Sequence, residues 1–332
     1  MNNNILCNIG EDITLNIAGQ SQVVTETDLS DKVNQIYRIQ FSKAPKEKHL
    51  ELVINILKNN NNIDLRFYGN YSEDSIDWKS LSFVENLQID LWETNNLEGI
   101  EELLKLKKLT ISKNVKSSVS LKILDKLDKI EILHTSISKD IETIGNLTNL
   151  KYLSLREIKS KNLDFLSKLE NLNEIWLSLG SYKDINGITH LKNLQKLSIH
   201  QIRDFNNEEL NSVISNCKNL TALELQNLKN LSGINFIKEL YNLSYLYFES
   251  NKNIKTFKDI KVSNSLKTFV TSNSRPADKE LIYLKDIESV FLGDNYPKSE
   301  IENFSKKFKG KNLWIHGKEI FGKHEYQNPF KT

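Results

Sequence analysis

The chain has 332 residues, with 45 basic residues against 43 acidic ones and a net charge of +2, which excludes a bulk electrostatic pull toward nucleic acid or anionic membrane. A composition of 39% hydrophobic and 27% charged residues excludes a disordered chain. The start, MNNNILCNIG, lacks a basic region ahead of an apolar core, and no apolar run is long enough for a membrane span. Cys7 and Cys217, far apart in sequence, exclude a disulfide framework, so a reducing cytoplasm is expected.

In chain order, Leu15 with Ile17 and Ile39 with Phe41 are the first short alternating segments. The stretch 46–60 predicts an amphipathic helix, with Leu50, Val53, Ile54 and Leu57 on one face. Ile63 with Leu65 follows, and then a phrase with the spacing L-x-x-L-x-x-L-x-L begins. It reads Leu81, Val84, Leu87, Ile89; Leu103, Leu106, Leu109, Ile111; and Leu124, Leu127, Ile130, Ile132. It continues as Leu147, Leu150, Leu153, Leu155; Leu169, Leu172, Ile175, Leu177; and Leu191, Leu194, Leu197, Ile199. A helix is predicted over 206–220, capped by Asn206 or Asn207, and it runs into Cys217, Leu220, Leu223, Leu225. Later copies are Leu240, Leu243, Leu246, Phe248; Leu266, Phe269, Thr271; and Leu284, Ile287, Val290, Leu292. A helix over 298–308 precedes a last copy ending at Leu313 and Ile315.

The intervals run from 21 to 26 residues. Each x-L-x-L-x is a short strand whose leucines point one way and whose intervening residues point the other. Such a strand is unstable alone. Stacked once per repeat it forms a parallel sheet, and the leucines of successive coils fill one continuous core. The architecture expected is an α/β solenoid over 1–332, with 1–60 as atypical N-terminal coils, 61–295 as repeats and 296–332 as a C-terminal coil or cap.

The phrases LTNLKYLSL, LENLNEIWLSL, LKNLQKLSI and LYNLSYLYF resemble the leucine-rich-repeat family, and the 22-residue coils resemble the bacterial internalin-type repeats. The resemblance implies a curved horseshoe with a parallel sheet on the concave face and loops or short helices on the convex face. The family places Asn three residues after the last strand leucine. Asn114, Asn251 and Asn295 stand there, but Ile158, Gly180 and Ile202 replace it in other coils.

No phosphate-binding glycine loop, nucleophile elbow, zinc-binding helix or C-x-x-C is present, and the six histidines show no metal-ligand spacing. No cofactor, metal, small-molecule substrate, nucleic acid or membrane is expected as a partner. Cys217 falls at a core-leucine position, where a thiol is inert. The Asn-Leu-Thr and Asn-Leu-Ser triplets at 146, 219, 230 and 242 arise within or beside the repeat phrase and carry no weight as glycosylation sites.

The informative residues are those between the leucines. The middle outward column reads Gln88, Thr110, Glu131, Ser154, Trp176, Ser198, Glu224, Tyr247, Val270, Phe291, Trp314. Beside it run Tyr152 and Tyr245 on one side and Arg156, His200 and Glu249 on the other. Nothing in the fold requires aromatics there, and aromatics mixed with Arg and carboxylates compose protein–protein hot spots. Trp176, Tyr245, Tyr247, Phe291 and Trp314 are expected as anchors, with Glu131, Tyr152, Arg156, His200, Glu224 and Glu249 around them. A C-terminal segment such as 318–332 is expected to fold over Trp314. The functional expectation is a non-catalytic protein-binding module using its concave sheet. Its finer form is a cytoplasmic immunity protein that holds a toxin; the alternative is a secreted virulence or adhesion factor that binds a host protein.

Overall fold

The computed structural model describes residues 5–202, 205–322 and 327–330. The chain divides into two compact units, Met1–Arg156 and Glu157–Thr332. Each is a stack of leucine-rich coils in which one short strand per coil joins a parallel ladder.

In the first unit the ladder runs through Ile5–Ile9, Ile36–Phe41, Asp64–Gly69, Asn86–Leu91, Lys108–Ile111, Ile132–Thr135 and Tyr152–Arg156. Its inner rows align Cys7, Ile39, Leu65, Leu87, Leu109, Leu133 and Leu153, and then Ile9, Phe41, Phe67, Ile89, Ile111, Thr135 and Leu155. The second unit repeats the plan through Glu174–Ser178, Lys196–His200, Ala222–Gln226, Tyr245–Glu249, Thr268–Ser272, Ser289–Leu292 and Asn312–Ile315. Here Ile175, Leu197, Leu223, Leu246, Phe269, Val290 and Leu313 form one inner row. These rows are buried, so both cores are built from the repeat phrase.

Three expected registers differ. Ile13–Ile17 is no repeat strand: it pairs antiparallel with Ile5–Ile9 and turns through Ala18 and Gly19, both at positive φ, into Gln20–Val23. Three residues between strands allow only an antiparallel return, because a parallel crossover needs about a dozen or more. The hairpin covers the N-terminal end of the first stack, as Lys318–Phe321 covers the last strand of the second. In the third coil the inner pair is Leu65 and Phe67 rather than Ile63 and Leu65, a two-residue slip that keeps every side chain on its face. In the sixth coil the phrase is Leu127, Ile130, Leu133, Thr135. Lys108 faces Ile132 and Thr110 faces His134, so Glu131 lies ahead of the strand and His134 takes its expected place in the middle column. Ile132 misleads because it is apolar yet only half-buried, while polar Thr135 is buried with its hydroxyl accepting the Ile137 N–H.

Among the described residues the α-helices are α1 (Glu26–Lys32), α2 (Glu47–Lys58), α3 (Asn207–Asn216) and α4 (Lys298–Lys307). The sequence analysis missed α1, although Thr25 and Asp28 form a capping box at its start. In α2 the buried face is Val53, Ile56 and Leu57, with Leu50 half-buried; Ile54 is turned partly away. Asn206 caps α3, with Glu209 returning the bond to the Asn206 N–H. Shorter coils close instead with 3₁₀ turns such as Asp164–Lys168, Asn186–His190 and Asn235–Glu239. Leu177 to Ile199 leaves room for one such turn, whereas Ile199 to Leu225, four residues longer, accommodates α3.

Asparagine ties the coils together. The amides of Asn149, Asn193, Asn219 and Asn253 donate to the Asp128, Glu170, Lys192 and Lys229 carbonyls one coil back, at 2.6–2.8 Å. Asn251 is fully buried; its Oδ1 accepts the Leu228 N–H (2.8 Å) and its Nδ2 donates to the Leu225 carbonyl (2.6 Å). Coils that lack Asn at that place keep the same turn. Glu157, Leu179 and Gln201 all sit at positive φ, and their N–H groups reach the Ser178, His200 and Gln226 carbonyls of the next coil.

Candidate protein-interaction face of the second unit

The outward column of the second unit aligns Trp176, Ser198, Glu224, Tyr247, Val270, Phe291 and Trp314, one per coil. The period of two along each strand places all seven on one face. Glu174, Lys196, Ala222 and Tyr245 form the row before it, and His200, Gln226 and Glu249 stand in the row after it.

Polar groups between the rings are paired both within a strand and across coils. Glu174 accepts the Trp176 indole N–H (2.7 Å) and an ion pair from Lys196 (3.0 Å). The Tyr247 hydroxyl donates to Glu249 (2.8 Å). Glu224 is buried beneath the aromatics and accepts from Ser198 and Gln226, both at 3.3 Å. Burial pushes its carboxyl above the ordinary carboxylate range, and the Glu249 charge adds to that; hydrogen bonds from Asn328, Ser198 and Gln226 pull the other way and lose.

The floor has a cover. Residues 327–330 of the C-terminus lie on it, and Phe330 meets Trp176 edge-to-face at 5.5 Å and Tyr245 at 6.1 Å. Lys196 donates to the Pro329 carbonyl (2.7 Å), and the Asn328 amide approaches Glu224 at 3.4 Å. Phe330 forms one buried cluster with Ala222, Tyr245, Val270 and Phe291, against which Trp176, Tyr247 and Trp314 pack half-buried. Tyr245 and Phe291, expected as open anchors, and Glu224, expected beside them, are therefore closed over, whereas Trp176, Tyr247 and Trp314 keep part of their surface in water. A cavity of about 610 Å³ remains beside the tail, lined by Tyr247, Val270, Phe291, Trp314 and Phe330 among others. Residues 323–326 and 331–332 of the expected covering segment lie outside the described residues.

Of the other expected contact residues, His200 and Glu249 border this face, half-buried. Glu131, Tyr152 and Arg156 belong to the first unit. Glu131 pairs with Lys151 (2.8 Å), Tyr152 meets the His134 ring at 4.8 Å in a tilted contact, and the Arg156 side chain is exposed. Sequence reasoning gave no role to Lys196, Asn328 or Phe330. Lys196 had a visible signal, a lone cation between Glu174 and Glu224 in neighbouring coils; a covering segment was expected over Trp314, but no repeat phrase specifies which of its residues land on Trp176 and Tyr245.

Both cysteines lie in the core, and burial raises each thiol to about 12, so neither is a thiolate at neutral pH. No family model and no curated protein matches the chain. Solved structures do. An internalin, InlF, of Listeria monocytogenes is similar over 87% of this chain and 82% of its own, with a TM-score of 0.59 at 18% identity. The chain has the leucine-rich-repeat fold. Internalin C2 of Listeria monocytogenes matches over 53% of this chain and 76% of its own, at 26% identity and a TM-score of 0.42. A leucine-rich-repeat protein of Leptospira interrogans matches over 80% of both chains, at 16% identity and a TM-score of 0.45.

Proposed function

We propose that this leucine-rich-repeat chain is a protein-binding module whose interface is the aromatic floor of the second unit. One observation carries the reading: Trp176, Tyr247, Phe291 and Trp314 recur in a single outward column, on the opposite face of the sheet from the inner rows of the repeat phrase. Aromatics set among Lys196, Glu224 and Glu249 provide large anchor areas with polar groups that fix orientation. The module acts by holding a partner rather than by catalysis; two protonated core thiols supply no nucleophile.

In the finer form of this reading, the partner is a toxin and the chain is a cytoplasmic immunity protein. Two free buried cysteines accord with a reducing compartment. Recovery of the protein from the culture supernatant of intact cells would instead favour the secreted virulence or adhesion factor. The interface is tested with a photo-crosslinking amino acid at Tyr247 and, on a convex turn, at Lys238. Capture of one partner from Tyr247 alone, lost when Trp176→Ala is added, is the expected result; capture from Lys238 alone refutes it.

A further inference from the structure

The tail on the floor is held as a ligand is held. Phe330 supplies a ring to Trp176 and Tyr245, Pro329 supplies a backbone carbonyl to Lys196, and Asn328 supplies an amide to Glu224. Each receiving group also has a partner within the sheet. Lys196 keeps Glu174 at 3.0 Å, and Glu224 keeps Ser198 and Gln226 at 3.3 Å. Removal of Asn328, Pro329 and Phe330 therefore leaves neither Lys196 nor Glu224 without a partner, which distinguishes a removable occupant from a strut of the fold. Beside Phe330 a cavity of about 610 Å³ continues along Tyr247, Phe291 and Trp314.

We propose that Asn328-Pro329-Phe330 is an internal ligand of this groove, displaced by an extended segment of a partner protein that presents an aromatic side chain in the Phe330 position and a backbone carbonyl to Lys196. The inference rests on reading the floor as an interface. It makes the module self-blocked: a tethered tail competes at an effective concentration of about millimolar, and the partner's apparent affinity falls by the fraction of time the tail is seated.

The probe is a synthetic peptide of residues 327–332, titrated by calorimetry into the full-length protein and into full-length Phe330→Ala. Phe330→Ala is expected to bind it at least tenfold more tightly than wild type, and the same peptide with Ala for Phe is expected to bind neither. Trp176→Ala added to Phe330→Ala abolishes binding. Asn328→Ala, which leaves the ring in place, gives a smaller gain in the same direction and stands in if Phe330→Ala melts early. Equal affinity for both proteins overturns the proposal, as does no binding to a folded Phe330→Ala or Asn328→Ala. A wild-type dimer that dissociates when the peptide is added overturns it too, because the occupant is then a second copy's tail. Peptide binding that leaves the Tyr247 crosslink untouched sinks the displacement while sparing the interface; absence of any crosslink from Tyr247 sinks the interface itself.

Discussion

The two units are built on one backbone plan and differ in what they show on the outward side of the sheet. In the first, the middle column reads Asn8, Gln40, Arg66, Gln88, Thr110, His134, Ser154. Gln40 donates to Asn8 (3.2 Å), Arg66 donates to Gln40 (3.1 Å) and also pairs with Asp90, and Asn114 donates to Asp90 (2.7 Å). Beside this chain Asp64 takes Arg38 at 3.2 Å and Lys108 at 3.1 Å. Burial alone would raise the Asp90 carboxyl, but hydrogen bonds from Ser112, Arg66 and Asn114 outweigh it and hold the group below its usual range. A polar column can link its members by hydrogen bonds from coil to coil, as Asn8, Gln40 and Arg66 do, although the buried Arg66 Nε has no partner among the described residues. An aromatic column cannot satisfy itself in this way, because rings side by side still leave apolar area in water, and in the second unit Phe330 takes up part of that area. The lesson is that a repeat backbone leaves the outward residues free, and side-chain chemistry alone decides whether a face is closed or available.

That contrast is open to attack, from the largest expected effect downward. Arg66→Ala leaves the buried Asp90 without its cation and is expected to destabilise the first unit by about 3 kcal/mol in urea unfolding. A loss below about 1 kcal/mol would show the polar ladder to be ornamental. His134 comes next. Burial first, and the Lys108 charge second, lower its pKa to about 4 from 6.5. The unfolded chain therefore binds more protons between those values, so stability contributed here is full above about pH 6.5 and is lost as pH falls toward 4. The span is on the order of 1–3 kcal/mol, and His134→Asn is expected to flatten it in unfolding curves taken at several pH values.

The paired truncation Trp176→Ala with Tyr247→Ala lies at the aromatic end of the comparison. It is expected to cost roughly 1–2 kcal/mol of stability, since both side chains are only half-buried, while abolishing partner capture. The smallest effect belongs to Glu224→Gln. A carboxyl whose folded pKa is raised contributes stability below its unfolded pKa and loses it as pH rises through the folded one. The amide keeps the shape and removes that loss, so a small gain in stability is expected at pH 7, shrinking as pH falls through the ordinary carboxylate range. A destabilised variant at pH 7 would mean that the charge itself holds the Ser198 and Gln226 contacts.

Much of this was legible before any coordinates. The phrase L-x-x-L-x-x-L-x-L states which residues enter the core, so the row from Trp176 to Trp314 could be written down, and the ladder reproduces it residue for residue. The phrase failed where its letters blurred. Ile130, Ile132 and Leu133 offer two phases, and the choice fell to the neighbours Lys108 and Tyr152, which align with Ile132 and place His134 outward. The role of asparagine was underread as well. The amides of Asn146, Asn219, Asn230 and Asn242, which head the glycosylation-like triplets, are spent on neighbouring coils.

By itself, then, the sequence determined the coil, its period and the inward or outward sense of nearly every strand residue. Those follow from local alternation and from the need of each apolar row to meet its copy one repeat away. Only the tertiary structure decided that Phe330 lies against Trp176 and Tyr245 and that Lys196 and Glu224 receive its neighbours. Contacts between residues 328–330 and coils 85 to 154 residues upstream obey no period, because they depend on which surface is left uncovered once the repeats have stacked.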